Sequence, residues 1–262
     1  MKRCFGRPEK LIDCDYEFLS KMKTLKEPHE SMPRLADLLE YLAQPGLEEI
    51  WVLLDIKVWT RMRGQNSTNC SQLDNDAEDV MRQIASTIRS VSPSPGRPWQ
   101  SRVVLGCWAA KYLPLCSRYL SGFPVTHIGF SILYASRFFS IPNISFNMIQ
   151  AVLMTPWGRA FIRKAQCDKR PVYAWTVNKE PYMRWDIRQG LDGVITDDPK
   201  LFVEVRRGWH DGVKEGVGLI MWLDVLRINL FALVFGMLFR YRSGSSKTIR
   251  SRVVLGGDDA KR

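Results

Sequence analysis

Two side chains of opposite charge lie near the end of one apolar run, at residues 51–57. Successive side chains alternate between the two faces of a strand, so Asp55 and Lys57 share a face with Trp51 and Leu53, and the other face is aliphatic. The pair offers a carboxylate and an amine to a polar ligand at the C-terminal end of the strand. It could equally form an ion pair that only satisfies the strand end. Spacing alone leaves both interpretations open.

A strand, a helix and a second strand follow each other closely in residues 171–199. A β-branched and aromatic run at 172–177 predicts the first strand, Asn178 could cap the helix, and Gly190 could end it. The run at 193–196 predicts the second strand, after which Asp198 could cap a further helix. So short a crossover requires two parallel strands covered by helices.

The same patterns extend along most of the chain. They predict strands at 50–56, 102–107, 125–132, 143–152, 172–177 and 193–196. They predict helices at 34–43, 76–90, 109–120, 133–140, 157–167 and 180–189. This alternation predicts an α/β fold with a parallel sheet. Six strands are too few to close a barrel of eight strands.

Three segments carry a resemblance to a known family. The sequences AWTVN and GVITDDP within 171–199, MPRLADLLEYLA at 32–43 and VLLDIK at 52–57 resemble segments of the glycerophosphodiester phosphodiesterases. They are most similar to the fungal phosphatidylglycerol phospholipase C type, and the resemblance covers about residues 8–207. It implies a TIM (β/α)8-type barrel that lacks its first two β/α units.

The resemblance also implies roles for individual residues. Asp55 matches the position of a family metal ligand, and the metal would be a divalent cation, Mg²⁺ or Ca²⁺. Lys57 would contact a phosphate oxygen of the substrate. Trp175 matches a family residue near the mouth of the pocket, although a core tryptophan is an equally good interpretation. A complete form would hydrolyse phosphatidylglycerol, or a related glycerophosphodiester, to diacylglycerol and glycerol phosphate.

The histidine motifs of the family are missing. Its members cleave the diester with a His-Arg motif, a His-Asp motif and a Glu-x-Asp metal pair, and residues 1–207 contain none of these. We interpret His29, His127 and His210 as structural or surface histidines. We therefore expect an N-terminally incomplete chain that is inactive as printed. The alternative is a non-catalytic, membrane-bound protein that binds lipid headgroups.

Composition divides the chain into two parts. Residues 1–207 are predicted to form the partial barrel, and within it the polar stretch 58–72 is an insertion or retained intron, or else a functional lid. Residues 208–262 are predicted to associate with membranes. The apolar stretch 216–242 is interrupted by Asp224 and Arg227, so an interfacial helix or shallow hairpin competes with a full crossing of the bilayer.

Charge and cysteine content indicate partners and compartment. The net charge is +11, and residues 240–262 contribute seven basic against two acidic side chains, which favours anionic lipid at a membrane surface. No basic stripe with interleaved aromatics supports nucleic-acid binding. The six cysteines form no CxxC pair, and no apolar targeting core follows Met1. We therefore expect a membrane-associated, intracellular protein.

Overall fold

The computed structural model divides the chain into two compact units. The described residues are 1–9, 11–57, 76–209, 223, 225–227, 229 and 230. The first unit comprises 1–52, 57–103 and 119–121, and the second comprises 53–56, 104–118 and the residues from 122 onward. The predicted insertion at 58–72 lies outside the described residues, as does most of 208–262. The predicted domain division at residue 207 stays a prediction.

The first unit is helical in its described part. Its helices are α1 (Lys2–Phe5), α2 (Tyr16–Ser20), α3 (Leu35–Leu42), α4 (Ala77–Ser90) and α5 (Trp99–Arg102). The helices α3 and α4 pack together through buried apolar side chains, among them Leu39 and Met81. Asp76 caps α4 by accepting a hydrogen bond from the backbone N–H of Glu78.

A buried arginine fixes the loop between α3 and the first strand. The guanidinium of Arg102 donates to the carbonyl oxygens of Leu42, Leu47 and Ile50 at 2.9, 2.6 and 2.9 Å, and to Oγ of Ser94 at 3.1 Å. These bonds satisfy carbonyl oxygens outside the strands of the sheet, and the Leu47 oxygen also accepts from the backbone N–H of Ile50 at 3.1 Å. The loop that leads into the sheet is thereby held in one conformation.

The sheet belongs to the second unit, apart from the first residues of its first two strands. Its strands are β1 (Val52–Ile56), β2 (Val103–Cys107), β3 (Val125–Gly129), β4 (Ile144–Ile149), β5 (Val172–Trp175) and β6 (Gly193–Ile195). They lie in the spatial order β1-β2-β3-β4-β5-β6, and the pairs from β2 to β6 are parallel. The predicted parallel α/β fold with six strands is confirmed.

Helices follow the strands of this unit in turn. They are α6 (Leu113–Tyr119), α7 (Ile132–Ala135), α8 (Gln150–Leu153), α9 (Pro156–Cys167), α10 (Glu180–Arg188) and α11 (Pro199–Arg207). Short 3-10 helices cover Ala110–Tyr112 and Ser136–Ser140. Each crossover advances the chain by one strand in the same direction. Crossovers between parallel strands are right-handed as a rule, which places the helices on one face of the sheet. Barrels of alternating strands and helices are built from this arrangement.

The register separates a helix-covered face from an open face. Cys107 pairs with His127, His127 with Phe146, and Phe146 with Val172, so these four buried residues lie on one face. Phe146 and Val172 belong to the apolar core under the helices, which therefore defines this as the covered face.

The opposite face is more polar and includes the close approach of β1 to β2. Gly106 pairs with Thr126, Ile128 with Asn147, and Asn147 with Tyr173. A Cβ atom on Gly106 would lie 2.6 Å from Cδ1 of Ile128 and 2.8 Å from a backbone oxygen of β1. Only glycine fits at this position of the sheet.

Each predicted strand is longer than the observed one, and two of the predictions extend into the helix that follows the strand. β3 ends at Gly129, short of the predicted 132, because Oγ of Ser131 accepts a hydrogen bond from the backbone N–H of Tyr134 and begins α7. β4 likewise ends at Ile149, where α8 begins. Both predictions extended the apolar run into the helix that follows it.

A carboxyl group is buried between two of the covering helices. Asp186 of α10 accepts a hydrogen bond of 2.8 Å from the side-chain amide of Gln150, which also donates to the carbonyl oxygen of Tyr182 at 2.9 Å. Oδ1 of Asp186 has no hydrogen-bond partner within the described part of the chain. Burial raises the pKa of Asp186 to about 8, and the Gln150 hydrogen bond opposes this only in part.

A few described residues of the C-terminal segment pack against the rest of the second unit. The described residues between 223 and 230 are helical, Val225 is buried, and the side-chain amide of Asn229 donates to the carbonyl oxygen of Ala151 at 2.8 Å. Most of the predicted apolar stretch 216–242, including Asp224, lies outside the described residues. Within the part of the chain that the structure describes, no helix has the length and apolar character needed to cross a bilayer.

Candidate active site

Asp55 lies on the open face of the sheet, as the alternation of side chains predicts. Leu53, two residues earlier on β1, contacts the open-face residue Gly106, whereas Ile56 is buried on the other face. Asp55 itself is exposed, and it is the second-last residue of its strand. In a parallel sheet the carboxyl ends of the strands meet at one edge, where ligands bind in α/β folds.

Trp108 is the residue that the sequence analysis did not identify. It directly follows β2, and its indole N–H donates a hydrogen bond of 2.6 Å to Oδ1 of Asp55. A donor bound to a carboxylate at this distance makes a strong, charge-assisted hydrogen bond. The two residues are separated by 53 positions in the sequence, so no local pattern announces the contact.

Two further aromatic rings hold Trp108. The Trp175 ring meets it edge to face, with centroids 5.6 Å apart and an interplanar angle of 65°, and the Phe130 ring lies at 6.5 Å. The indole N–H of Trp175 in turn donates to the carbonyl oxygen of Asn147 at 3.1 Å. Asp55, Trp108, Phe130 and Trp175, here called the carboxyl-edge site, thus link residues at the ends of β1, β2, β3 and β5.

The observed position of Trp175 bears on its predicted role. It is the last residue of β5 and is half-buried, with its ring against Trp108. It therefore packs as part of an aromatic layer and also lies at the edge where a ligand would bind. Contact with a substrate stays a prediction.

Lys57 directly follows β1 and is exposed. It belongs to the first compact unit, whereas Asp55 belongs to the second. The predicted contact of its amine with a phosphate oxygen stays a prediction.

The open face also carries buried polar atoms. Oγ1 of Thr126 and Oδ1 of Asn147 are buried, and neither has a hydrogen-bond partner among the residues that the structure describes. Buried polar groups of this kind are commonly satisfied by an ordered water. The interior behind the carboxyl-edge site is therefore suited to water rather than fully apolar.

The ligands for a divalent cation are few. No group of three or more His, Cys, Asp or Glu side chains that could hold a metal ion occurs among residues 1–9, 11–57, 76–209 and the six described near 230. Asp55 supplies one carboxylate. A single carboxylate ligand is compatible with Mg²⁺ when phosphate oxygens and water complete the coordination, which is the usual way proteins bind this ion.

His127 lies on the covered face and cannot reach the carboxyl-edge site. Its ring stacks on Phe138, with centroids 4.1 Å apart, and its Nδ1–H donates to the carbonyl oxygen of Cys107 at 3.3 Å. Burial lowers the pKa of His127 to about 4, so the imidazole is neutral near pH 7. Its Nε2 is buried and has no hydrogen-bond partner in the described part of the chain. The position is structural.

The other two histidines add no acid or base to this site. His29 belongs to the first unit, where its Nδ1–H donates to the carbonyl oxygen of Thr24 at 2.8 Å. His210 lies outside the described residues.

The turns after β5 and β6 are tied together by side chains. Asn178 does not cap α10 as predicted, because its amide donates to Asp197 at 2.7 Å and its oxygen accepts from the backbone N–H of Asp197 at 2.8 Å. Asp198 caps α11 by accepting from the backbone N–H of Leu201 at 3.0 Å. Asp197 and Asp198 are therefore turn and cap residues, as their sequence context indicates.

Comparison with known proteins finds that the chain matches one family model and is similar in fold to several solved structures. The family model described as the glycerophosphoryl diester phosphodiesterase family matches residues 1–201. A comparison with curated protein sequences gives no match.

Three solved structures illustrate the shared fold. A phosphodiesterase from Oleispira antarctica, solved in complex with the product sn-glycerol-3-phosphate, is 14% identical with a TM-score of 0.58, over 79% of this chain and 76% of that one. A glycerophosphodiester phosphodiesterase from Parabacteroides distasonis is 14% identical with a TM-score of 0.55, over 74% and 71%.

A Silicibacter pomeroyi protein described as a glycerophosphoryl diester phosphodiesterase is 18% identical with a TM-score of 0.51. The match covers 69% of this chain and 59% of that one, so the chain spans less than two thirds of that protein. At these identities the likeness concerns the fold.

Proposed function

Because this chain belongs to the glycerophosphoryl diester phosphodiesterase family, we propose that its carboxyl-edge site binds a glycerophosphodiester. The substrate we propose is phosphatidylglycerol or a related lipid. Cleavage of the phospholipase C type would yield diacylglycerol and glycerol phosphate. The Oleispira antarctica structure, which holds glycerol phosphate as a product, supports this choice of product.

One observation carries the proposal. An exposed carboxylate, Asp55, is held by the indole of Trp108 at the carboxyl ends of parallel strands, with Trp175 beside it. Parallel α/β sheets and barrels place their ligand sites at this edge. The aromatic rings offer apolar surface to a glycerol or lipid portion, and the carboxylate offers charge.

The residues of the site have separable roles. Asp55 would give one oxygen ligand to Mg²⁺ or Ca²⁺, the remaining ligands coming from water and from the phosphate of the substrate. Such a cation, when bound, polarises a phosphoryl oxygen and offsets its charge. The Lys57 amine would neutralise a second phosphate oxygen as a point charge.

Hydrolysis needs more than these residues. Attack on a phosphodiester requires a base for the nucleophile and an acid for the leaving alkoxide. The only histidine of the second unit that the structure describes, His127, is buried and neutral on the covered face. We therefore propose that the printed chain binds the headgroup without turning it over. The same observation favours the second candidate function, a non-catalytic protein that binds lipid headgroups.

An assay on the full 262-residue chain separates these possibilities. We expect calorimetry to detect binding of glycerol phosphate to the chain in the presence of Mg²⁺ or Ca²⁺. When the chain is incubated with phosphatidylglycerol vesicles, we expect no release of glycerol phosphate. Cation-dependent release of glycerol phosphate would contradict the proposal that the chain lacks the acid and base needed for hydrolysis. Absence of binding would contradict the carboxyl-edge site.

We also propose that residues 208–262 bind a membrane surface. Leu223, Leu226 and Leu230 are exposed by 58, 67 and 64%, while Val225 is buried and Asn229 donates to the carbonyl oxygen of Ala151. An apolar stripe that is followed in sequence by a basic tail is typical of interfacial segments that bind anionic lipid.

This proposal predicts the effect of one leucine. We expect Leu226→Ser to weaken binding to vesicles that contain phosphatidylglycerol by about fivefold, because the side chain loses part of its apolar burial in the interface. Leu133→Ser is the matched control, since Leu133 is exposed by 66% on α7. Equal vesicle flotation of the two variants would count against the assignment.

A further inference from the structure

We propose that Trp108 is a positioning residue, one that orients the Asp55 carboxylate for ligand binding through its indole N–H. The inference rests on the proposed function, because it assumes that Asp55 binds the cation or the phosphate ligand. It concerns a residue that neither spacing nor the family resemblance identified.

The first step concerns the orientation of the Asp55 carboxylate. The terminal torsion of an aspartate is broad, and Asp55 is exposed near the end of its strand. The hydrogen bond of 2.6 Å from Nε1 of Trp108 to Oδ1 occupies one oxygen and selects a carboxylate orientation. Carboxylates that ligate metals are commonly oriented by hydrogen bonds of this kind.

The second step is the rigidity of the donor. The Trp108 ring packs against Trp175 and Phe130, at centroid distances of 5.6 and 6.5 Å, and Trp175 is itself held by its hydrogen bond to the backbone of Asn147 at 3.1 Å. A donor held by packed neighbours loses little freedom when it forms a hydrogen bond. The direction of the indole N–H is thus restricted by residues in β4 and β5 and directly after β3.

The third step is the backbone that carries the ring. Cys107, the residue before Trp108, is buried on the covered face at the end of β2. Its neighbour on the sheet is His127, whose ring bonds to the carbonyl oxygen of Cys107. The backbone that precedes Trp108 is therefore held in place. Trp108 orients Asp55 through its hydrogen bond and does not need to contact the substrate.

The positioning role of Trp108 predicts that removing its N–H donor lowers the affinity for glycerol phosphate. Trp108→Phe keeps an apolar ring but removes the N–H donor, so we expect the affinity for glycerol phosphate in the presence of Mg²⁺ or Ca²⁺ to fall by about tenfold, with the fold retained. The matched control is Trp157→Phe, since Trp157 is exposed by 76% on α9 and lies outside the site. We expect this control to bind like the unsubstituted chain.

A spectroscopic readout tests the contact without ligand. In the full chain labelled with ¹⁵N-tryptophan, the indole N–H resonance of Trp108 is identified by its disappearance in Trp108→Phe. We expect Asp55→Ala to shift this resonance and to leave that of Trp157 in place. In the unsubstituted chain, glycerol phosphate with the cation should shift the Trp108 resonance further.

The outcomes separate two failures. A Trp108 resonance that does not respond to Asp55→Ala, or a Trp108→Phe variant that binds glycerol phosphate like the unsubstituted chain, overturns the positioning role. A resonance that responds to Asp55→Ala in a chain that binds no glycerol phosphate overturns the proposed function, while the hydrogen bond stands.

Discussion

Asp55→Asn should lower the affinity of the chain for glycerol phosphate, in the presence of Mg²⁺ or Ca²⁺, on the order of 100-fold. The substitution removes the charge and keeps the shape, because the asparagine oxygen can still accept the hydrogen bond from Trp108. Asp55 is exposed, so the change leaves no buried group unpaired, and we expect the free energy of unfolding to change by less than about 1 kcal/mol. Calorimetry and urea unfolding measure the two quantities.

A matched control distinguishes the site from general electrostatics. Asp168 is an exposed carboxylate at the end of α9, 3.6 Å from the amine of Lys164, and Asp168→Asn changes the net charge by the same amount. We expect this variant to bind glycerol phosphate normally. Near-normal binding by Asp55→Asn would remove the basis for assigning Asp55 to the site.

The second large effect is a pH dependence of stability that originates at Asp186. Its pKa is about 8 in the folded protein because the carboxyl group is buried, whereas an aspartate in an unfolded chain has a pKa of about 3.9. Between these values the folded state holds a proton that the unfolded state has lost. The stabilising contribution is thus fully present below about pH 4 and is lost as the pH rises to about 8, at about 1.4 kcal/mol per pH unit.

Asp186→Asn removes this dependence. The asparagine is neutral at every pH and its oxygen can still accept the hydrogen bond from Gln150. We expect the variant to be more stable than the unsubstituted protein by about 5 kcal/mol at pH 8, with little difference near pH 4. Urea unfolding at both pH values measures it. Stability differences that are the same at both pH values would show that Asp186 is ionised in the folded protein.

The sheet was predictable because its strands carry local signals. Runs such as 172–177 are β-branched and aromatic, and each is followed by turn and cap residues that stop it. The face occupied by Asp55 was also predictable, since strand alternation has a fixed period. The ends of the strands were harder to predict. Ile132 is apolar and continues the pattern of β3, although Ser131 already caps the next helix.

The partners of the site residues could not be read from the sequence. Trp108 follows a strand and precedes a helical turn, so its local context indicates only a loop tryptophan. Its hydrogen bond to Asp55 depends on the pairing order of β1 and β2, which is a property of the whole sheet. The same applies to Asn178, which local sequence predicts as a helix cap. Its side chain instead bonds to Asp197, after a different strand, and this contact is not visible in the local sequence.

The most direct test of the account is a crystal structure of the full chain with glycerol phosphate and Mg²⁺ or Ca²⁺. We expect the ligand at the carboxyl ends of the strands, with the cation bound to Asp55, the Trp108 N–H still on the other carboxylate oxygen, and Trp175 against the ligand. Glycerol phosphate bound away from Asp55, Trp108 and Trp175, or absent at concentrations that saturate binding in solution, would contradict the proposed site.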